Sequence, residues 1–107
     1  MLENGVVTIF AQEAKGGDFL KVVCCPAWVH KKERLRSKAD GVYRRDSFDV
    51  RIDLKHVKNV SAGDLIFFGE MEQNDFSAHK CRRIATVAKN EAGSFPHWHL
   101  QAEYEYR

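Results

Sequence analysis

The chain has 107 residues, 44% hydrophobic and 30% charged, the balance of a folded domain rather than a disordered segment. Seventeen Lys and Arg against fifteen Asp and Glu give a formal net charge of only +2. That length excludes two independent cores, and no apolar run approaches the ~20 residues of a membrane helix. Met1-Leu2-Glu3-Asn4-Gly5 does not read as an export signal. The expectation is a single domain over residues 1–107, cytoplasmic and not attached to a membrane.

Most of the chain follows period two rather than 3.6. Val6 to Phe10 is β-branched and aromatic, and Phe19 to Cys25 is an apolar run ended by Pro26. Gly16-Gly17-Asp18 between them has the composition of a hairpin turn. Residues 28–39 are rich in helix formers but poor in apolar residues, and Asp40-Gly41 closes them. They read as a long basic loop, with one short helix as the alternative. From Ser47 to Lys55, Phe48, Val50, Ile52 and Leu54 alternate with polar residues, the pattern of a half-buried antiparallel strand. Ala62-Gly63 then introduces Asp64 to Glu70, a strand buried on both faces. Arg82 to Lys89 follows a polar loop, and Asn90-Glu91-Ala92-Gly93 turns the chain into the last strand. There Trp98, Leu100, Ala102, Tyr104 and Tyr106 share one face, while His97, His99, Gln101, Glu103 and Glu105 share the other. The reading is all-β: a small antiparallel barrel of five to six strands.

The net charge hides a segregation. Residues 31–46 hold Lys31, Lys32, Arg34, Arg36, Lys38, Arg44 and Arg45 with only three acids, a net of +4. The other ten cations and twelve anions leave −2 for the rest of the chain. A concentrated patch of cations is the footprint of a nucleic-acid binder, because each neutralised phosphate releases counterions. Trp28 and Tyr43 bracket the patch as candidate base-stacking residues, and Arg82 and Arg83 extend it if their strand lies alongside.

Gly63, Asp64, Leu65, Ile66, Phe67, Phe68 and Gly69 resemble the Gly-Asp-x-Val-x-Val-x-Gly strand of the OB-fold single-stranded-DNA-binding proteins. The resemblance covers about seven residues. It implies an OB-like barrel that binds single-stranded DNA or RNA with little sequence preference. The acidic C-terminal tail usual in that family is not present in this chain.

His97, His99 and Glu103 form a His-x-His-x-x-x-Glu strand whose spacing resembles the first metal motif of the cupins. The second histidine motif of that family is not found here. The two histidines therefore read first as polar residues opposite a core face, and no cofactor is expected. Cys24, Cys25 and Cys81 lack metal-ligand spacing and read as reduced core thiols, with the first two on opposite strand faces. No nucleophile, phosphate-loop or dinucleotide motif is present, so a non-enzymatic protein is expected. The alternative to nucleic-acid binding is a small interaction or inhibitor module of a mobile element. Its aromatic last strand, with Trp98, Tyr104 and Tyr106, would pair as an edge with a partner or a second copy.

Overall fold

The computed structural model describes the backbone of residues 3–38 and 41–103, and the side chains of residues 3–31 and 47–103. Six antiparallel strands form the fold: β1 (Gly5–Gln12), β2 (Phe19–Lys38), β3 (Gly41–Asp53), β4 (Leu65–Phe68), β5 (Arg82–Asn90) and β6 (His97–Glu103). They close into a barrel in the order β1-β2-β3-β6-β5-β4, with β4 pairing back onto β1. Each half of the chain is thus a three-stranded meander, and the halves are sewn together along β3–β6 and β1–β4. Among the described residues the only helical turns are 3-10 turns at Leu54–His56, Gln73–Asp75 and Ala78–Lys80.

Alternation fills the barrel. Val7 and Ile9 from β1, Cys25 and Ala27 from β2, and Val50 and Ile52 from β3 point inward. They meet Ile66, Ile84, Leu100 and Ala102 from the second meander. The connection after β3 covers one end with Val57 and Val60, held where the Trp98 indole Nε1–H donates to the Val57 carbonyl at 3.1 Å. Cys25 is buried and Cys24 half-exposed, as strand alternation requires.

The expectation that β4 is buried on both faces has a specific cause. Ile66 and Phe68 pack into the barrel, whereas Leu65 and Phe67 pack outward against Phe10, Met71 and Cys81. Phe19 and Phe76 complete this outer cluster, with the Phe10 and Phe76 rings 4.6 Å apart. Residues 69–81 form its cover. The fully buried Thr8 hydroxyl donates to the Gly69 carbonyl at 2.8 Å and accepts from the Met71 amide at 3.2 Å. One polar group thereby satisfies two backbone groups that burial would otherwise leave unpaired.

Two side-chain amides stand in for strand backbone along β2. Asn4 donates from Nδ2 to the Val29 carbonyl and accepts the Val29 amide at Oδ1, at 2.9 and 2.8 Å. Gln73 makes the equivalent pair with the Phe19 carbonyl and the Lys21 amide. Asp53 ends β3 by accepting the Lys55 amide, so Leu54 and Lys55 leave the strand that period two had carried to residue 55.

Residues 28–39, expected as a long basic loop, are strand instead as far as Lys38, and residues 39 and 40 lie outside the described residues. β2 runs on to Lys38 and β3 begins at Gly41, paired in unbroken register from Trp28↔Arg51 to Lys38↔Gly41. Cross-strand pairing overrides the helix propensity of Lys, Glu, Arg and Leu in this segment.

Candidate nucleic-acid interface

The cover over β1 and β4 leaves the outer face of β2, β3, β6 and β5 as the open side of the barrel. Cross-strand register defines its surface. One row runs Trp28–Arg51–His99–Ala88, and the next runs His30–Asp49–Gln101–Thr86. Within these rows the Trp28 and His30 rings stack at 5.6 Å with 13° between their planes. The Arg51 guanidinium lies 4.9 Å from the Trp28 ring centroid, in cation–π range. Trp28 is half-buried by these neighbours, and His30 and Arg51 are exposed.

A polar chain supports the cluster. The Thr86 hydroxyl donates to Gln101 Oε1 at 3.1 Å, and Gln101 Nε2 reaches Asp49 Oδ1 at 3.4 Å. His99 Nε2 lies 3.6 Å from the same Asp49 oxygen, too long for a hydrogen bond but within ion-pair range when the ring is protonated. Asp49 is only 7% exposed although it points outward, with His99 and Gln101 of β6 against its carboxylate.

The hairpin continues β2 and β3 past the end of the barrel, beyond their last pairings with β1 and β6. Its pairing runs for eight registers from Lys31↔Phe48 to Lys38↔Gly41, about 25 Å of ribbon at ~3.3 Å per residue. Lys32, Arg34, Arg36 and Lys38 stand on its β2 side, and Tyr43, Arg44 and Arg45 on its β3 side. Where their side chains point lies outside the described residues. Lys31, at the root, is exposed.

Arg82 and Arg83 lie on β5, which β6 separates from the hairpin strand β3, so the two strands are not direct neighbours; Arg82 nevertheless reaches the end of the barrel where the hairpin is rooted, since Phe48 pairs with Lys31. Arg82 sits opposite Ile66, with its guanidinium 5.4 Å from the Phe48 ring centroid at the barrel end. Arg83 faces outward and pairs with Glu103 at 3.1 Å. That pair removes Glu103 from the His-x-His-x-x-x-Glu set. His97 Nδ1 lies 2.8 Å from the Phe95 carbonyl, and His99 faces Asp49. Among the described residues no three His, Cys, Asp or Glu side chains gather as a metal site. The last strand is also not an edge over residues 97–102, since β3 and β5 flank it; Tyr104 and Tyr106 lie outside the described residues.

His30, Asp49, Arg51 and Gln101 were not singled out in the sequence. Arg51 and Asp49 carried a partial signal, as charged positions opposite Val50 and Ile52, but only the register brings Arg51 to Trp28.

Together these features define a six-stranded closed barrel with a polar, aromatic outer face and a basic two-stranded arm. Residues 2–103 match the model of a family of unknown function, DUF6751, and the chain belongs to that family. No match was found among curated proteins or among solved structures.

Proposed function

We propose that the protein binds single-stranded nucleic acid, DNA or RNA, with little sequence preference. The β2–β3 arm grips phosphates, and the Trp28–His30–Arg51 cluster at its root offers flat rings to bases. The supporting observation is the segregation of charge. Seven cations and three anions fall within residues 31–46, the stretch over which β2 and β3 run on past their other barrel partners, while the remainder of the chain carries a net −2. A narrow cationic ribbon reaches a phosphate backbone without bringing the anionic barrel against it. Stacking of a base on an aromatic is worth roughly 1–3 kcal/mol and tolerates any base.

Fluorescence titration with labelled oligonucleotides at several salt concentrations tests the proposal. Five to seven phosphate contacts give a log–log salt slope of about −3.5 to −5 for a single strand. The Arg44→Ala/Arg45→Ala variant lowers that slope by about 1.4 in magnitude, at ~0.7 per phosphate. No binding at low salt, or a slope near zero, overturns the reading. Tighter binding to a duplex of the same length overturns the single-strand assignment.

A further inference from the structure

Among the described residues, β2 has a free edge where the hairpin runs past the barrel. β1 ends at Gly5↔Ala27, and the Asn4 amide caps the next position of β2, Val29. Beyond Lys31, β2 pairs with β3 on one side, and among the described residues no strand lies along its other side. An isolated two-stranded ribbon is marginal in water, and its exposed edge presents a row of backbone donors and acceptors.

Two features beside that edge describe what completes it. The edge residues Lys32, Glu33, Arg34, Leu35, Arg36, Ser37 and Lys38 carry a net +3. A second copy of the same edge is repelled by that charge, whereas an acidic strand is attracted. At the root of the edge lies a groove of about 390 Å³ lined by Asn4, Gly5, Val6, Val29, Phe68 and Gly69. Its wall includes Val6, an apolar side chain left 42% exposed. Recognition by strand addition takes its affinity from main-chain hydrogen bonds and its selectivity from side-chain pockets next to the edge.

From this geometry we infer that the free edge of β2 docks an extended acidic segment of another protein as a further strand, with an apolar residue seated against Val6, Val29 and Phe68. The inference does not rest on nucleic-acid binding. Cations on an edge also serve simply to keep strands from pairing, and the test separates the two roles.

The probe is a blocked peptide of alternating Glu and Val with Leu at both ends, added to the whole isotope-labelled protein. Amide exchange at every second residue of 32–38 slows at least tenfold, and binding weakens as salt is raised. The same peptide with Lys for Glu, or with Pro at alternate positions, gives no slowing. Val6→Asp weakens peptide binding at least fivefold and leaves oligonucleotide affinity unchanged, its fold checked by circular dichroism. No alternate-residue slowing, or equal slowing by either control peptide, overturns the proposal. An unchanged peptide affinity in Val6→Asp overturns the groove's part in it.

Discussion

At the scale of single residues, the three thiols show how far side-chain environment follows from strand alternation. Cys25 points into the core, and burial pushes its thiol up to about 11, with Cys24 and Glu3 adding in the same direction. Burial raises Cys81 as well, partly opposed by Arg82. Both thiols stay protonated near neutral pH and present little thiolate to an electrophile. Labelling with a thiol reagent at pH 7.5 is therefore expected to modify Cys24 first, and Cys25 and Cys81 only as the protein opens; mass spectrometry reads the order. The raised Cys25 value also sets a sign. Above pH 9 the unfolded chain releases this proton while the folded chain keeps it, so stability falls as pH rises from about 9 to 11. Denaturant unfolding at pH 8 and pH 10.5 is expected to show a smaller loss in Cys25→Ala than in the parent. The opposite facing of Cys24 and Cys25 was legible in the sequence because adjacent strand residues must diverge. The environment of Asp49 was not, since His99 and Gln101 reach its carboxylate from the neighbouring strand β6.

At the scale of elements, strands whose two faces differ could be read directly. Phe48, Val50 and Ile52 on β3 and Trp98, Leu100 and Ala102 on β6 lie on the inner faces that alternation assigned them. Asp64 to Glu70 read as doubly buried, and the outer cluster around Phe10 and Met71 supplies the second burial. The hairpin could not be read, because Lys-Lys-Glu-Arg-Leu-Arg has no apolar alternation and its strand character comes from pairing with residues 41–48. Residue type reports on burial, and the arm's sequence is mostly polar and charged. It is therefore expected to contribute little to the core. Replacing residues 32–46 with a two-residue Asn-Gly turn, which favours tight hairpins, is expected to leave a cooperative thermal transition within about 5 °C of the parent. The same variant is expected to lose oligonucleotide binding. A collapse of the transition would mean that the arm packs against the barrel, and calorimetry distinguishes the outcomes.

At the scale of the whole molecule, a small antiparallel barrel of five to six strands was accessible from alternation and turn spacing, while the pairings that close it were not. Nothing local marks β1 as the partner of β4, or β3 as the partner of β6; those seams are set by which apolar faces must share one interior. They carry a kinetic consequence. The Thr8–Gly69 hydrogen bond spans 61 residues, and the β3–β6 seam joins Ser47 to Glu103. Neither meander can bury its apolar face until the other has arrived, so the chain closes large loops before most contacts repay them. Refolding followed by the fluorescence of the buried Trp98 is expected on the millisecond-to-second timescale of nonlocal β proteins. Stopped-flow dilution from denaturant measures it, and a microsecond phase carrying the full amplitude would contradict it. During that interval a nascent chain exposes two half-barrels joined only by residues 54–64. Each half is complementary to its counterpart on any neighbouring chain, so concentration during refolding governs the balance between self-closure and exchange of halves between molecules.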